Sequence, residues 1–580
     1  MSNCSYGPNG SIPRDASFTS GFRSKNVIGC IAKFADVETN TALINDQLKV
    51  KDVIDESNVK YYGAVGDGVT NDTIAIQSAI NAAKGTTNKV FFPAGTYMHG
   101  YIELKDGVSL CGDNATLFAI NGLTTNSNIH VFYGENSTGN RVTNAGLNRI
   151  ADITFDNLTF TASDNTYYYV IGLANADNIT IKNCTFRYNN DDFAARSVQV
   201  RIFGLWDGTG VNVPAGPGPN YYEMPLSNTY ATNTNIHDNL FDGAQLQLAA
   251  NQNSRVESNL FLEGGWTLSW DVYCDRCVTI GNVFEKTKPG ITYLINPWDV
   301  KSFGVYVGQA SQNMVVSDNV FKNCGITPIY ISSARRVSVC NNIMYYTNQA
   351  PETPGKGVWL LSTIFYSVAL PSSEIVIADN QMYGVLDVID SGTNTVETRR
   401  LTISGNFGSG SNVANINAVI LRNITDATVN NNVFENIETV VQIGGTLAST
   451  SVNISNNVAT LYGGANKARG LFLNGALCTN IAFLNNVLTT STGTGHAHIQ
   501  VNNASASKGI VTFQPGKHNL DNFCLYTGGA NTLDVVGENN LLNENTITVA
   551  GAIDRMISVT KIDSTSGVYG TTLTSGQFTG

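Results

Sequence analysis

The sequence predicts an all-β fold, a right-handed single-stranded parallel β-helix, and three observations support this prediction. A short strand motif centred on Asn recurs along most of the 580 residues. Charged residues make up only 14% of the chain and Gly is abundant at 55 residues, which favours many tight turns over helices or disorder. A segment near the N-terminus combines one amphipathic helix with a strand and a turn, as expected of a cap on an open solenoid end.

The repeated motif consists of alternating β-branched residues, then Asn, then an apolar residue, as in NTNIHDNLF (233–241) and NMVVSDNVF (313–321). This alternation indicates strands, and the spacing between motifs is that of one solenoid coil with or without an insertion. The motif residues are Asn239, Asn259, Asn282, Asn319, Asn342, Asn380, Asn406, Asn432, Asn457 and Asn486. We expect each amide to bond the next, Asn to form the left-handed bend, and the apolar residue two positions later to stack in the core. The sequence lacks the Leu consensus of a leucine-rich repeat. It also lacks the blade-length period of a propeller.

Three regions follow from this pattern. Residues 1–58 form a separate N-terminal segment, residues 59–490 form the β-helix, and residues 491–580 are rich in Thr, Gly and Val and predict a small β domain. Within the cap, Asn71 or Asp72 can begin a helix whose apolar residues, including Ile76 and Ile80, share one face.

The cap carries the motif YGAVGDGVTNDT (62–73), followed by FPAGTY (92–97). These residues resemble the N-terminal motif of the pectate-lyase-like superfamily, and the resemblance covers roughly residues 59–490. Within it the chain is most similar to bacteriophage tailspikes that depolymerise capsule or O-antigen. The polygalacturonase motifs Asn-Thr-Asp, Gly-Asp-Asp, Gly-His-Gly and Arg-Ile-Lys were not found, so no catalytic residue is transferred from that family.

The resemblance implies a virion protein of the phage tail that acts at the host cell surface as a homotrimer. It also implies that residues 1–58 attach to the phage tail or to another tailspike, and that residues 491–580 serve trimerisation or carbohydrate binding. A net charge of −11 without a Lys/Arg run argues against nucleic acid or a membrane as partner. The N-terminus lacks the apolar core of a signal peptide, which disfavours a secreted pectinase.

No metal or cofactor is predicted. The chain shows no dense carboxylate cage of the kind that calcium requires. Cys274 and Cys277 form a lone C-x-x-C, for which a structural role is favoured because a zinc site needs a second pair.

The first candidate site is the outward position two residues before each motif Asn. Down the stack this position is occupied by His237, Glu257, Ser317, Cys340, Ala378, Ser404, Asn430 and Ser455, and the coil of Asn282 is expected to break the register. His237 and Glu257 should be neighbours within reach of proton transfer. The alternative is a solvated pair without catalytic function.

The second candidate site is the stretch 262–306, which contains Trp266, Trp270 and Trp298 together with acidic residues. With Leu268 and Val272 pointing inward, Ser269, Asp271 and Tyr273 should point outward, whereas Trp270 should lie in the core. Aligning the coils predicts one outward column of Gln247, Ser269, Tyr306 and Tyr330, with Asp271 beside it. Aromatic faces stack on sugars and paired carboxylates hydrolyse glycosides, so this column predicts a sugar-binding wall.

Further candidates flank that column. Asp275 and Asp299 are candidate catalytic carboxylates, with a turn role as the alternative. The Gly/Pro-rich insertion 204–232 contributes Trp206 and Tyr221 as candidate sugar ligands, because long loops on a rigid scaffold often carry binding.

The leading functional hypothesis is an endo-acting glycosidase that uses paired carboxylates. A polysaccharide lyase is the second hypothesis, weakened because the suspected groove is poor in cations apart from Arg255, Arg276 and Lys301. A non-catalytic glycan-binding adhesin is the third. The sequence does not decide between a retaining and an inverting mechanism, or between a groove within one subunit and a groove between subunits. It also does not identify the polysaccharide or its linkage.

Overall fold

The computed structural model describes residues 56–560 except 124–129, 138–147, 163–167, 188–197, 205–228, 263–266, 286–302, 325–326, 347–354, 366–367, 386, 392–395, 411–415, 463–467, 476–477, 491–496, 503–507, 519–521, 527–531, 539–545 and 550–557. Beyond residue 500 only the backbone is described. Almost every regular element is a strand in parallel pairing with the next coil, which confirms the parallel β-helix. Each coil contributes strands to three ladders, called ladders 1, 2 and 3 in their order along a coil.

The strands of ladder 1 are Lys89–Phe92, Ala176–Lys182, Asn235–His237, Arg255–Glu257, Val278–Ile280, Gln312–Ser317, Arg335–Cys340, Ser373–Ala378, Thr398–Ser404, Ile424–Asn430, Ser449–Ser455, Lys508–His518, Thr532–Glu538 and Ser558–Thr560. The strands of ladder 2 are Gly95–His99, Thr185–Arg187, Leu240–Asp242, Leu260–Leu262, Val283–Glu285, Val320–Lys322, Ile343–Tyr345, Gln381–Val385, Phe407–Gly410, Val433–Ile437 and Val458–Leu461. Three long strands run through both ladders: Ser109–Ala119, Ile150–Ala162 and Cys478–Thr490.

The strands of ladder 3 are Ile102–Leu104, Phe132–Gly134, Tyr168–Ala174, Val198–Phe203, Ala244–Ala249, Leu268–Trp270, Phe303–Val307, Thr327–Ser332, Val358–Leu361, Asp387–Ser391, Asn417–Arg422, Thr439–Gly445, Arg469–Gly475, Ala497–Asn502, Asn522–Tyr526 and Thr546–Val549. Short strands at Ala231–Thr232 and Asn251–Gln252 pair between coils, Asp67–Asn71 pairs with Gly95–His99, and Thr363–Phe365 forms an antiparallel hairpin with Val368–Leu370. Described strands of ladders 1 and 3 continue past residue 490 in parallel pairing. The assignment of residues 491–580 to a separate domain stays a prediction.

The predicted cap is present. A 3₁₀ turn at Val59–Tyr62 precedes helix α1, Thr73–Ala83, which buries Ile76 and Ile80 against the first coils. Asp72 precedes the helix, but its carboxylate accepts hydrogen bonds from the backbone N–H groups of Val65 and Gly66 at 2.7 and 3.0 Å. Asp72 therefore fixes the turn at Val65 and Gly66 and does not cap the helix with its side chain. Within the described residues, no helix is long and apolar enough to cross a membrane.

The Asn ladder forms as predicted. From Asn259 to Asn486, the Oδ1 atom of each motif Asn accepts hydrogen bonds from the backbone N–H and the Nδ2 of the motif Asn one coil earlier, at 2.8–3.1 Å. These amides are buried, so the ladder satisfies polar groups that water does not reach.

The left-handed bend, however, was assigned to the wrong residue. The residue before each motif Asn has a positive φ, for example 57° at Asp238 and 57° at Asn341, whereas the motif Asn does not. A second left-handed residue opens each ladder 1 strand, as at Asn233 and Asn313. Asn and Asp are favoured at both positions because they tolerate this conformation.

The core is filled by stacked apolar columns. Six phenylalanines of ladder 2 stack face to face with ring centroids 4.7–5.0 Å apart: Phe160, Phe186, Phe241, Phe261, Phe284 and Phe321. These are the apolar residues that follow the motif Asn, so the predicted inward stack is confirmed. The stack and the amide ladder together hold the outward positions of ladder 3 in fixed register.

Candidate functional site

The outward face of ladder 3 carries a row of side chains aligned coil by coil. Gln247 pairs with Ser269, Ser269 with Tyr306, and Tyr306 with Tyr330, so the register predicted for this column is confirmed. We call the aligned outward positions the ladder 3 row.

The row extends beyond the four residues found from the sequence. Below Gln247 it continues through Arg201 and Gly172, and above Tyr330 it continues through Trp359 and Asp390. The row therefore runs over at least eight successive coils. At about 4.8 Å per coil it spans about 34 Å, the length of several sugar units.

The aromatic part of the row stacks on itself. Ring centroids lie 5.1 Å apart between Tyr306 and Tyr330 and 5.0 Å apart between Tyr330 and Trp359, with interplanar angles of 28° and 30°. The Nζ of Lys356 lies 4.6 Å from the Trp359 ring centroid and covers its remaining face. These contacts cover the facing sides of the Tyr306, Tyr330 and Trp359 rings, and sugar stacking on an aromatic face stays a prediction.

The polar atoms along this row suit hydrogen bonding to hydroxyl groups. Burial raises the pKa of Tyr330 to about 12, and burial with the nearby charge of Asp271 raises the pKa of Tyr306 well above its ordinary value, so both phenols are neutral. The Oγ of Ser269 and the Nε1 of Trp359 are buried atoms without a hydrogen-bond partner in the described part of the chain. Unpaired buried donors are rare unless a ligand or water completes them.

Asp271 lies two residues after Ser269 at the lower end of the aromatic stack. The Nε2 of Gln247 donates to its Oδ2 at 2.7 Å. Burial raises the pKa of the Asp271 carboxyl, opposed by that hydrogen bond and by the charge of Arg201. Part of the residue stays accessible although its carboxyl is closely surrounded. A Cβ on Gly308 would lie 1.6 Å from the Asp271 carbonyl oxygen, so the close approach of the next coil requires glycine there.

Arg201 completes this lower cluster. Burial lowers the pKa of its guanidinium, opposed by the charges of Asp271 and Tyr169. Burial thus disfavours the charged form of Asp271, whereas Gln247 and Arg201 favour it. Arg201 is not among the residues predicted from the sequence because its strand lacks the Asn motif, and the signal that identifies it is its coil register with Gln247.

A second cluster lies at the upper end of the stack and was also missed. Asp390 is 1% exposed and binds Lys356 through one oxygen and Arg422 Nη1 through the other at 2.8 Å. Burial raises the pKa of Asp387, opposed by a 3.1 Å hydrogen bond from Asn417 and reinforced by the charge of Asp390. Both oxygens of Asp390 are occupied, so it positions the two cations rather than acting on a ligand.

The pair His237 and Glu257 lies on ladder 1, a different face from the ladder 3 row. The two residues are direct neighbours in register, as predicted. His237 Nδ1 lies 2.7 Å from Asp238 Oδ2, and Arg255 binds Glu257. The predicted break at the coil of Asn282 is wrong, because Ile280 fills the column between Glu257 and Ser317.

Two further candidates lie apart from the row. Asp275 accepts hydrogen bonds from Gln252 at 3.0 Å and Asn313 at 2.7 Å, so it ties three coils together at a turn. The outward orientation predicted for Tyr273 is wrong: the strand ends at Trp270, and Tyr273 has φ 53° and is 7% exposed in a small apolar cluster with Phe203 and Leu370.

The predicted core position of Trp270 is confirmed, since it is fully buried and its indole N–H donates to Thr279 at 2.7 Å. Cys274 and Cys277 are buried and contact backbone carbonyls. Five of the predicted site residues lie outside the described residues: Trp206, Tyr221, Trp266, Trp298 and Asp299. Within the described residues, no cluster of three His, Cys, Asp or Glu side chains could hold a metal.

Comparison with known proteins agrees with this architecture. Residues 57–292 match the family model described as rhamnogalacturonase A/epimerase, pectate lyase-like. Plasmin and fibronectin-binding protein A of Streptococcus pneumoniae is 30% identical over 181 residues, which is 27% of this chain and 24% of that protein. Mannuronan C5-epimerase AlgE4 of Azotobacter vinelandii is 45% identical over 64 residues, 10% of this chain and 12% of the epimerase. The chain thus spans a quarter or less of these curated relatives.

Among solved structures, a tailspike variant of E. coli bacteriophage HK620 in complex with a pentasaccharide has a TM-score of 0.53. The match covers 90% of this chain and 84% of that one at 13% identity, which establishes similarity of fold. The family match covers the N-terminal part of the described β-helix, and the tailspike match shows likeness of fold, a parallel β-helix.

Proposed function

We propose that this chain binds and depolymerises a bacterial surface polysaccharide, capsule or O-antigen, as an endo-acting glycosidase whose groove is the ladder 3 row. The observation that carries the proposal is Asp271, a carboxyl of raised pKa at the end of a row of hydrogen-bonding side chains. The fold likeness to a tailspike in complex with a pentasaccharide supports the same substrate class.

The chemistry assigns Asp271 the role of general acid. In glycoside hydrolysis one carboxylic acid protonates the leaving oxygen while a second carboxylate acts as base or nucleophile. Burial raises the pKa of Asp271 and so favours its acid form, and the Gln247 amide and the Arg201 charge stabilise the carboxylate formed after proton transfer. Asp299 remains the candidate second carboxylate, and Gln247, Tyr306 and Tyr330 are the candidate sugar ligands.

A polysaccharide lyase is the second candidate function, and a specific observation favours it. Three cationic residues lie on or beside the ladder 3 row: Arg201, Lys356 and Arg422. The proposed groove therefore contains cations that were not expected from the sequence. Cations neutralise the carboxylate of a uronate and thereby acidify the proton that β-elimination removes. A glycan-binding adhesin without catalysis is the third candidate, since the row binds hydroxyl groups in either case.

The test is digestion of purified capsule and O-antigen by the wild type and by Asp271→Asn, with Glu257→Gln on ladder 1 as the matched control. We expect Asp271→Asn to release oligosaccharide at least about a hundredfold more slowly, because general acid catalysis contributes on that order, whereas Glu257→Gln keeps wild-type activity. Circular dichroism and glycan binding check that both variants fold.

The other outcomes discriminate between the alternatives. Loss of activity in Glu257→Gln or His237→Ala but not in Asp271→Asn moves the site to ladder 1. A rise in the ultraviolet absorbance of unsaturated uronate during digestion identifies a lyase. Binding without release from any polysaccharide tested identifies an adhesin.

We also propose that the protein is a homotrimeric tailspike of the phage virion and attaches to the tail, or to another tailspike, through residues 1–58. The tailspike fold supports this assignment. Co-purification of a tagged chain with phage tails, compared with a chain lacking residues 1–58, tests the attachment. Equal recovery of both chains would contradict it.

A further inference from the structure

An ion cluster lies across the upper end of the ladder 3 row, one coil above Trp359. Asp390 follows Trp359 in the row. One of its oxygens binds Lys356 from the coil below, and the other binds Arg422 Nη1 from the coil above at 2.8 Å. The side chains of Lys356 and Arg422 are 24% and 30% exposed, whereas that of Asp390 is 1% exposed. The carboxylate is therefore closed to solvent, and the two cations reach the surface beside the row.

The charges of this cluster do not balance. Two cations, Lys356 and Arg422, face the single carboxylate of Asp390, which leaves one positive charge in excess. Asp387 is the other acidic residue that interacts with Lys356. Burial raises the pKa of the Asp387 carboxyl, opposed by the hydrogen bond from Asn417, so burial favours the uncharged form of Asp387.

Another buried carboxylate shows that holding coils together does not require this excess of positive charge. Asp275 lies apart from the row and accepts hydrogen bonds from Gln252 and Asn313 on the neighbouring coils at 3.0 and 2.7 Å. A single cation, Arg276, lies 3.4 Å from its carboxylate. Burying ions costs stability unless partners compensate for the lost solvent. The second cation at Asp390 therefore exceeds what the packing of the coils needs.

The cluster keeps hydrogen-bond donors available to a ligand. In the described part of the chain, the guanidinium of Arg422 has a hydrogen-bond partner at Nη1, and its Nε and Nη2 have none. The ammonium of Lys356 binds Asp390 and lies 4.6 Å from the ring centroid of Trp359. The Nε1 of Trp359, one coil below Asp390, is a buried donor without a described partner. Two cations and an unpaired neutral donor on adjacent coils suit an anion that also carries hydroxyl groups.

The geometry indicates which anion fits and where it lies on the polysaccharide. Lys356 and Arg422 already bind the two oxygens of one carboxylate, and the fork of a guanidinium matches a further planar carboxylate. The cluster lies four coils above Ser269, the neighbour of Asp271. Four coils span about 19 Å, the length of several sugar units. The anion therefore belongs to a sugar other than those at the bond that Asp271 would cleave.

We propose that Lys356 and Arg422, held in place by Asp390, form a subsite for the carboxylate of an acidic sugar. The subsite makes the chain selective for an acidic polysaccharide and fixes the register of that polysaccharide along the ladder 3 row. This inference rests on the proposed function in that the row is a polysaccharide-binding groove, and it holds whichever reaction the groove catalyses.

The first test is binding of methyl glucuronoside and of the uncharged methyl glucoside to the full-length chain, measured by ligand-detected NMR. We expect the wild type to bind the glucuronoside at least about tenfold more tightly, because hydrogen bonds between charged groups contribute on that order. Lys356→Gln, Asp390→Asn and Arg422→Gln together replace all three charges by amides and should remove the preference without leaving a buried charge unpaired. Arg400→Gln, which removes a cation paired with Glu374 at 2.7 Å on ladder 1, is the control and should keep the preference.

The second test uses an acidic capsule that the wild type degrades, before and after chemical reduction of its carboxyl groups. We expect reduction to raise the KM of the wild type at least about tenfold with kcat little changed, and to leave the KM of the triple variant unaltered. Circular dichroism and the thermal midpoint should agree between the triple variant and Arg400→Gln.

The outcomes separate the subsite from the proposed reaction. A wild type without preference for the glucuronoside, a triple variant that keeps the preference, or degradation of neutral polysaccharides alone overturns the subsite. A wild type that prefers the glucuronoside but releases no oligosaccharide supports the subsite and overturns the glycosidase.

Discussion

Replacing one Asn of the buried ladder should cost far more stability than replacing the Asn beside it. Asn342 accepts hydrogen bonds from the backbone N–H and Nδ2 of Asn319 at 3.1 and 3.0 Å, and its own Nδ2 donates to the Val316 carbonyl and to Asn380 Oδ1, each at 2.9 Å. Asn341 precedes it, is exposed, and occupies the left-handed bend with φ 57°. The two residues are adjacent and chemically identical, and they differ in burial, bonding and backbone conformation.

The magnitude follows from the groups left without partners. Asn342→Ala removes the acceptor of two buried N–H groups of Asn319, and each orphaned donor costs about 1–3 kcal/mol, so about 4 kcal/mol in total is expected. Asn341→Gly keeps a residue that adopts the left-handed conformation freely, so a change within about 0.5 kcal/mol is expected. Neighbouring coils feel the defect because each repeat is stabilised through its two interfaces.

The assay is guanidinium denaturation of both variants, with amide hydrogen exchange of the coils that carry Asn319 and Asn380 as the local readout. We expect faster exchange on both sides of Asn342→Ala and wild-type exchange in Asn341→Gly. A difference below about 1 kcal/mol between the two variants would show that the amide ladder is incidental to stability, and would refute this reasoning.

Two further predictions concern the N-terminal coils. Burial lowers the pKa of His99 to about 4, only partly opposed by its hydrogen bond to the Gly100 carbonyl, so the unfolded chain binds the extra proton first as the pH falls. Stability should therefore be complete above about pH 6.5 and fall by about 3 kcal/mol towards pH 4, and His99→Gln should remove this part of the pH dependence in thermal melts at both pH values. A Cβ on Gly172 would lie 2.2 Å from the His130 ring, so Gly172→Ala should cost about 1–3 kcal/mol. The same substitution in a His130→Ala background should be nearly neutral, and an equal cost in both backgrounds would exclude this contact as the cause.

The sequence predicts ladders 1 and 2 well because their information is local. One short segment contains the alternating strand, the motif Asn and the apolar residue two positions later. Each coil repeats this segment. The assignment of the left-handed bend failed for the same reason. Pairs such as Asn341–Asn342 and Asn431–Asn432 place Asn at both positions, and only burial in the assembled stack tells which residue bends and which bonds.

Ladder 3 is harder to predict because it carries no such marker. Counting residues from the motif correctly predicts the register of Gln247, Ser269, Tyr306 and Tyr330. The alternation of inward and outward side chains along a strand correctly predicts that Trp270 lies in the core. The same alternation gives the wrong orientation for Tyr273, because alternation holds only within a strand and this strand ends at Trp270. An alternation argument therefore reaches only as far as the next bend.

The ion clusters were missed because their members lie on different coils. Asp390 is 34 residues from Lys356 and 32 residues from Arg422, and neither separation is a local pattern. Both partners become evident once the coils are in register. In a solenoid, the partners of a buried charge are found by coil alignment rather than by proximity in sequence.

The buried ion pairs beside ladder 3 bear on the function proposed for that face. Buried carboxylates of ladder 3 have cations on neighbouring coils, as Asp390 has Lys356 and Arg422, and Glu438 has Arg469 at 2.9 Å. Burying such groups costs stability unless partners surround them, and an apolar pair of similar volume would fold at least as well. Their presence on ladder 3 is therefore not a requirement of folding and agrees with the ligand-binding function proposed for that face. The fold itself requires only the Asn ladder and the apolar stack, which leaves the outward positions of all three ladders free to differ.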